Sequence, residues 1–509
     1  MKLLSVSLPR HDGSIAYFDG EQVHYVKLER IKQDKRFAID NKWSWIYEIK
    51  QLWNIDLKDI DEIIFDFHAE TFYDLNNLPP EITKVLLGET NVVKLEPNIN
   101  VFNSYIPNKN IYYIGHHYAH SLSTWMLTDS KPDLCVVIDG VGDHRSWSIF
   151  KNDKLIDRGL ATNGSIGGSM MSSASILGIK AKISNDLPGK LMGLQSYGTI
   201  DEAYLRYLQQ FDYSCINDIF SIARWYNYKR SQDTSSHQDW IKTVHKHMEN
   251  VLIDLFKKYA SKTDVISYSG GVAQNVIWNT ELKKHFKNLI IPPHAGDEGL
   301  SLGALEWLRI KNNLPPFKLS NFPYIQSDTP PNAMPSMQAI KKAAEFLAQG
   351  KTVGWYQDKG EAGPRALGNR SILMDPRLAN GKDIINGIKN REYYRPFGAS
   401  VLKEYASEYF DLAWDDDFML YTASVKSNNY PAITHVDGTC RVQTVDDKNP
   451  VFKMLLTEFY NLTGCPILLN TSLNLAGKPL AGYPEVAKDL LATTALDSVF
   501  IGNEYFLKY

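Results

Sequence analysis

Short apolar blocks bounded by Asp, Asn and Gly run through the chain, and this punctuation predicts strands from the first residues onward. Leu3 to Leu8 reads as a strand, His11 to Gly13 as a polar turn, and Ser14 to Phe18 as a second strand. An Asp19-Gly20 hairpin turn then leads to a third strand around Val23 to Val26. A similar unit starts near Leu134. Cys135 to Ile138 is a continuous apolar strand, Asp139-Gly140-Val141-Gly142-Asp143 a tight turn, Ser146 to Phe150 a strand, and Asn152-Asp153 a turn. Two copies of one pattern predict a duplicated fold with a cleft between related halves. Val265 to Tyr268 is a further strand, running into Ser269-Gly270-Gly271 and a helix.

The pattern changes between Leu314 and Pro335, where Pro315, Pro316, Pro323, Pro330, Pro331 and Pro335 interrupt any element. A boundary there divides the chain into 1–325 and 326–509. A helix from Ser336 to Gly350 and a strand from Thr352 to Tyr356 open the second domain. Alternating strands and helices make the chain α/β throughout.

Composition narrows this picture. A chain of 509 residues is too long for one hydrophobic core. Its 44% hydrophobic and 22% charged residues are those of a soluble globular protein. A net charge of −3 gives no global attraction to nucleic acid or to an anionic membrane. Cys135, Cys215, Cys440 and Cys465 form no C-x-x-C pair, which fits a reducing cytosol. The apolar start is too short for a signal peptide, and no apolar run approaches membrane-spanning length. A cytoplasmic location is expected.

The candidate chemistry gathers around Gly115-His116-His117-Tyr118-Ala119-His120, which holds three of the 13 histidines. His116 and His120 share one helix face, with room for an ion between them. Taken alone, the pair is more often ordinary surface or core packing than a metal site. No Glu follows His116, so this is not the zinc-protease pattern. Asp139 ends an apolar strand, and Asp297 stands in a glycine turn before a small-residue helix. Each is either a turn acid or one of the two further ligands a metal site would need. Ser269 to Asn275 suits a ligand pressed on backbone at a helix start, or simply a turn. Leu187 to Leu194 lacks the spacing of a Walker loop.

Farther on, Arg365, Arg370, Lys389, Arg391, Arg395 and Arg441 sit among Gly, Pro and aromatic residues, not on Lys/Glu helices. Fixed guanidiniums beside glycine turns and the small hydroxyls of Asn470-Thr471-Ser472-Leu473-Asn474 suit a polyphosphate. A solvated charged face is the alternative. Arg224 to Arg230 interleaves cations with Trp225, Tyr226 and Tyr228, a pattern for stacking bases or for an exposed amphipathic helix.

Taken in order, the motifs resemble one family. They are His11-Asp12-Gly13-Ser14, Glu29-Arg30, Gly115 to His120, Asp139 to Asp143, Gly189 to Gly198, Ser269 to Asn275 and Gly296 to Ala304. Gly363 to Asp375, Arg391 to Phe397, His435 to Val445 and Asn470 to Gly477 follow. The chain resembles the NodU/CmcH-type O-carbamoyltransferases over nearly its whole length. Lys478 departs from the pattern, standing where an acid often follows the glycine.

The resemblance implies a duplicated actin/Hsp70-like (ASKHA) N-terminal domain, similar to the tRNA threonylcarbamoyl-transfer subunit, and a YrdC-like α/β C-terminal domain. It implies that the C-terminal site makes carbamoyl-adenylate from carbamoyl phosphate and ATP, with Mg2+ accompanying ATP. Arg365, Arg370, Lys389, Arg391, Arg395, His435, Thr439, Arg441, Asn470, Ser472 and Asn474 would form that site. Lys190, Gly193, Gly270, Gly271 and Asn275 would hold the adenylate in the N-terminal domain. His116, His120, Asp139 and Asp297 would bind Fe2+ or a similar divalent metal. His11 and Asp12 would be catalytic, with His11 beside the acceptor hydroxyl. The implied acceptor is a small molecule, a sugar, or a hydroxymethylpyrimidine nucleotide or DNA, and a homodimer is compatible with the pattern. A tRNA threonylcarbamoyl-transfer enzyme is the alternative, and a non-catalytic protein on an actin-like fold a third.

Overall fold

A computed structural model describes residues 1–38, 43–74, 77–102, 106, 109–128, 131–161, 164–181, 183–210, 236–317, 319 and 321–508. The aromatic and basic stretch Arg224 to Arg230 lies outside the described residues.

The N-terminal half-sheet contains β1 (Leu3–Leu8), β2 (Ser14–Phe18), β3 (Val23–Lys27), β4 (Glu62–Phe67), β5 (Val92–Lys94) and β6 (Asn110–Ile114). The second contains β7 (Leu134–Gly142), β8 (Arg145–Lys151), β9 (Lys154–Leu160), β10 (Ile266–Ser269) and β11 (Leu289–Ile290). Their orders are β3-β2-β1-β4-β6-β5 and β9-β8-β7-β10-β11. In both, the first three strands form an antiparallel meander, and two further strands, β4 and β6 in the first half and β10 and β11 in the second, run parallel to the first of them; β5 adds an antiparallel edge to the first half. The halves therefore repeat one topology, that of the duplicated actin/Hsp70-like fold.

The duplication is real, but one turn lies elsewhere than the glycines suggest. β7 continues through Asp139 to Gly142, with a bulge between Ile138 and Gly142. The reversal falls at Asp143 and His144, both with positive φ. Such a pair matches the right-handed strand twist. Asp139 is thus a residue of a bulged strand, and bulges re-aim side chains.

Two helices lie between the half-sheets. Helix His116–Ser123 packs on β7 and β10, and helix Leu300–Lys311 packs on β1, β2 and β4. Leu3, Ile64, Ala119, Leu122, Val137, Leu302 and Leu305 form the shared core between them. The helices approach so closely that a Cβ at Gly303 would lie 1.8 Å from the Ala119 carbonyl oxygen.

The C-terminal lobe is a mixed nine-stranded sheet. It contains β12 (Val353–Tyr356), β13 (Arg370–Met374), β14 (Gly398–Leu402), β15 (Phe410–Asp411), β16 (Thr422–Val425), β17 (Thr439–Val445), β18 (Ile467–Ser472), β19 (Ser498–Ile501) and β20 (Glu504–Leu507). The order is β15-β16-β17-β14-β18-β13-β12-β19-β20. Helices Met337–Ala348 and Pro450–Thr463 contribute Ile340, Leu347, Phe452 and Phe459 to its own core. Ser336 caps the first helix by accepting from the Ala339 amide.

This lobe docks on both halves. Leu420 and Tyr421 insert into the core of the second half. Arg30 donates to the Gly363 carbonyl at 2.7 Å, and Gln326 bridges Tyr25 and Gly360. Among the described residues no helix is long and apolar enough to cross a membrane.

Replacing Gly303 by Ala should destabilise the protein by about 1–3 kcal/mol, because the backbone of helix His116–Ser123 occupies the place of the new methyl. Gly387→Ala, in an exposed helical position with nothing within 4 Å, should be neutral or stabilising. Urea unfolding of the two variants checks the contrast.

Candidate active site

Gly115 caps helix His116–Ser123, so His116 and His117 fall in its first turn and His120 one turn later. His116 and His120 face one point, where β7 brings Asp139 and the 3-10 turn Asp297–Gly299 brings Asp297. His116 Nε2 lies 3.2 Å from Asp139 Oδ2 and 3.6 Å from Asp297 Oδ1. His120 Nε2 lies 3.6 Å and 3.4 Å from the same two oxygens. One donor atom from each residue fits within a space 4.8 Å across. The four residues come from three elements, which draw on both halves of the duplicated fold.

Each ligand-like group has a support. Asp139 Oδ1 accepts from the Gly140 and Gly271 amides at 2.7 and 3.1 Å, leaving Oδ2 for the histidines. Asp66 Oδ1 lies 3.6 Å from His116 Nδ1, and Ser7 donates to Asp66 Oδ2. This is the carboxylate–histidine arrangement that orients metal-bound imidazoles. His120 Nε2 is buried, and neither carboxylate meets it with hydrogen-bond geometry. A buried donor set of two imidazoles and two carboxylates with such an orphan atom fits a divalent transition metal.

The electrostatics point the same way. Burial disfavours charge on His116, yet Asp297 and Asp66 outweigh it and hold its pKa well above the ordinary value. Burial likewise opposes ionisation of Asp139, and His116 and His120 outweigh it, holding the carboxyl well below the usual range. Asp297 is lowered against its own burial by His11 and His116. His117 behaves differently. It is fully buried, donates to or accepts from Ser148 Oγ through Nδ1 at 2.8 Å, and is held neutral by burial and by His116. It packs beneath Gly142 and contributes no atom to the cluster.

Beside the cluster opens a pocket of about 350 Å3, lined by His11, Asp139, Asp143, Met171, Asn185 and Asp297 among others. His11 is partly exposed there, whereas Asp12 lies beneath it, 1% exposed and with positive φ. Asp12 accepts from His11 Nδ1 at 3.0 Å and pairs with Lys27 at 2.8 Å and Arg36 at 2.5 Å. Asp12 thus supports His11 and does not face the pocket. Lys27 also pairs with Glu29 and approaches Glu298 to 3.7 Å.

In the C-terminal lobe, Lys389 Nζ is buried and donates to the Ser472 carbonyl and hydroxyl and to Asn474 Oδ1. Burial, reinforced by Arg391 and Arg395, depresses its pKa well below the ordinary value. Arg391 stacks on Phe397 and is pushed down to about 9 by burial and by Arg395. Arg441 is pushed down to about 10 by burial, and its Nε has no partner. Asn470 Oδ1 is likewise buried without a partner.

Arg370 does not fit that group. It is fully buried, pairs with Asp328 at 3.0 Å, stacks on Tyr356, and gives its donors to the carbonyls of Gln357, Asp358, Asn369 and Ala481. With its donors committed it is a structural staple, not a phosphate ligand. Thr439 is occupied locally by Asp437.

The N-terminal residues assigned to the adenylate divide similarly. Lys190 pairs with Glu392, and His435 Nε2 bonds the Gly193 carbonyl at 3.1 Å, both across the lobes. Gly193 abuts Tyr394, Arg395 and Pro396. Arg365 donates to the Gln274 carbonyl at 3.2 Å. Lys190, Gly193, Arg365, Arg395 and His435 therefore share one inter-lobe seam. Gly270 is glycine because of β7: its φ is +94° and a Cβ would lie 2.2 Å from the Ile138 carbonyl. Gly271 approaches Asp139 for the same reason. Asn275 caps helix Val276–His285 and donates to His245. These three are explained by packing and capping.

Sequence reasoning missed Asp66, Lys27, Arg36 and Asn185. Asp66 had a faint signal, an acid inside the apolar strand Ile63-Ile64-Phe65-Asp66-Phe67.

One lobe thus carries an ion-sized cluster beside an open pocket, and the other a group of cationic side chains around Lys389. The chain belongs to the carbamoyltransferase family: the carbamoyltransferase N-terminus model matches residues 2–305 and the carbamoyltransferase C-terminus model residues 344–508. It is a carbamoyltransferase. Nodulation protein NolNO of Sinorhizobium fredii is 29% identical, covering 99% of this chain and 80% of that protein. Nodulation protein NolO of Bradyrhizobium diazoefficiens is 31% identical over 76% of this chain and 78% of its own length. Nodulation protein U of Azorhizobium caulinodans is 27% identical, covering 94% of each. Among solved structures, component A of the Acidaminococcus fermentans (R)-2-hydroxyglutaryl-CoA dehydratase aligns with TM-score 0.37 and 13% identity, covering 60% of this chain and 97% of its own. T. kodakarensis HypF aligns with TM-score 0.36 and 13% identity, covering 62% of this chain and 48% of its own.

Asp12→Asn should lower stability by about 3–5 kcal/mol at pH 7, since it leaves Lys27 and Arg36 buried without their shared anion. Burial opposes the Asp12 carboxylate, but Lys27 and Arg36 outweigh it and hold its pKa well below the ordinary value. Its contribution is therefore present above about pH 4 and lost as pH falls toward the depressed folded value. Urea titrations should show the gap between wild type and variant closing with acid.

Proposed function

We propose that this carbamoyltransferase works through carbamoyl-adenylate and transfers the carbamoyl group to a hydroxyl. The observation that carries the reading is the convergence of His116, His120, Asp139 and Asp297 beside His11 at the mouth of the pocket. A hydroxyl is a weak nucleophile and a carbamoyl group a weak electrophile, so both must be activated.

Activation of the carbamoyl group belongs to the C-terminal lobe. Carbamoyl phosphate and water give carbamate and phosphate; carbamate then attacks the α-phosphorus of ATP and pyrophosphate leaves. The phosphates suit Lys389, Arg391 and Arg441, whose burial makes an anion favourable among them, with the partly exposed Arg395 beside them. Mg2+ would accompany ATP. Lys190 and Arg365 at the seam suit the adenylate as it passes to the N-terminal lobe, and a closed path protects it from water.

Transfer belongs to the cluster. Fe2+ or a similar divalent ion held by the two histidines and two aspartates would act there as a Lewis acid toward the carbamoyl oxygen. His11 takes the acceptor hydroxyl proton, the hydroxyl oxygen bonds the carbamoyl carbon, and AMP leaves. Asp66 orients His116, and Asp12 orients His11. The acceptor is a small molecule, a sugar, or a hydroxymethylated nucleotide or DNA. A pocket of this size takes one sugar or one nucleoside.

Incubation with ATP and carbamoyl phosphate should release pyrophosphate, and mass spectrometry of an acceptor panel should find a carbamoyl mass gain. His120→Ala should abolish the gain and any Fe2+-induced rise in Tm, while pyrophosphate release stays within about two-fold of wild type. Lys389→Ala should do the reverse, losing pyrophosphate release and keeping the metal response. Wild-type protein that releases no pyrophosphate overturns the adenylate route.

A further inference from the structure

His11 has a neighbour that lies outside every motif named above. Asn185 stands on the 3-10 turn Ser184–Asp186 and lines the pocket. Its Nδ2 donates to His11 Nε2 at 2.7 Å, while His11 Nδ1 donates to Asp12 Oδ2 at 3.0 Å. An amide nitrogen only donates and a carboxylate only accepts. The two contacts therefore agree on one tautomer, with the proton on Nδ1 and the lone pair on Nε2. That lone pair is the one a base needs on the pocket side.

One guanidinium fixes the spacing of these two partners. Arg36 pairs with Asp12 at 2.5 Å, donates through Nε to Asp186 Oδ1 at 3.2 Å, and donates to the Asn185 carbonyl at 3.3 Å. Lys35 adds a second tie to Asp186 at 2.5 Å. The turn that carries Asn185 is thereby strapped to the carboxylate beneath His11. The imidazole is held between two groups that cannot move independently.

We propose that Asn185 is a positioning residue: it selects the His11 tautomer and keeps Nε2 hydrogen-bonded until an acceptor hydroxyl replaces its amide. The hydroxyl donates to the same lone pair from the same pocket. Its proton passes to Nε2, its oxygen bonds the carbamoyl carbon, and the bond from that carbon to the adenylate phosphate oxygen breaks, with AMP taking the electron pair. This rests on the reading of His11 as the transfer base.

The test uses the full chain labelled with 15N-histidine, His11 being assigned by the signals missing in His11→Asn. Glycerol serves as the hydroxyl probe. Wild type should show a protonated Nδ1 and an unprotonated Nε2. Asn185→Asp keeps the shape but, when ionised, only accepts; with Asp12 still accepting from Nδ1, both ring nitrogens should be protonated. Asn185→Ala should give a mixture. Carbamoyl transfer to glycerol should fall about ten- to a hundred-fold in both, with pyrophosphate release unchanged. A merely structural residue would leave the isosteric Asp variant with the wild-type 15N pattern. An unchanged pattern in Asn185→Asp, or a changed pattern with undiminished transfer, overturns the proposal. Transfer that survives in His11→Asn overturns the base reading instead. Wild type that carbamoylates nothing overturns the proposed function, and the 15N pattern still decides the tautomer selection by Asn185.

Discussion

Everything in the N-terminal lobe follows from holding two imidazoles and two carboxylates together in one buried cluster. Each of the four is buried, and each would be costly to bury alone. They are tolerable only as a set, and the set exists only if elements distant in sequence meet at one point. The close contact of Gly303 with Ala119 achieves this. It seats the helix that follows Asp297 directly on the helix bearing the histidines. A wider helix separation would leave charges buried and unpaired, so packing and electrostatics impose the same geometry.

A second layer of charge lies beneath the first. Asp12, Lys27, Glu29, Glu298 and Arg36 form a buried network in which no member has a single partner. Removing one partner from such a network costs more than the network contributes as a whole. The stabilising function is therefore secondary to placement. The network fixes the turn that carries His11, and Arg36 extends it to the Asn185 turn. Rigid support of this kind is what a reactive group needs to be held within a fraction of an ångström.

Much of this was legible in the sequence, for reasons particular to each residue. His116 and His120 were readable because a helix repeats its face every four residues, and Asp139 and Asp297 because each adjoins a glycine-rich change of element. The duplication was readable because strand alternation and Asn/Asp/Gly turns are local signals. What failed was whatever depends on distant partners. Arg370 looked like a phosphate ligand until Asp328 and four carbonyls accounted for it. Gly270 looked like a ligand contact, whereas the Ile138 carbonyl sets its requirement. Arg36 and Asn185 carry no periodic or motif signal, and the contact joining them spans 149 positions. The turn at Asp143 and His144 was misplaced because glycines at 140 and 142 mark a bulge, not the reversal.

The seam between the lobes completes the physical logic. Arg365 of the C-terminal lobe holds the Gln274 carbonyl, and the Gln274 side chain donates to Glu298 at 3.5 Å. Glu298 faces Lys27, and Lys27 binds the Asp12 that supports His11. On the outer side, Lys190 meets Glu392 and His435 meets the Gly193 carbonyl. The lobes therefore touch through the apolar insertion of Leu420 and Tyr421 and, along this seam, through polar and charged groups, which can exchange partners with an incoming anion at little net cost. If carbamoyl-adenylate is the intermediate, as proposed, it would cross this seam, and Lys190, Arg365 and Arg395 are the cations the seam would offer it.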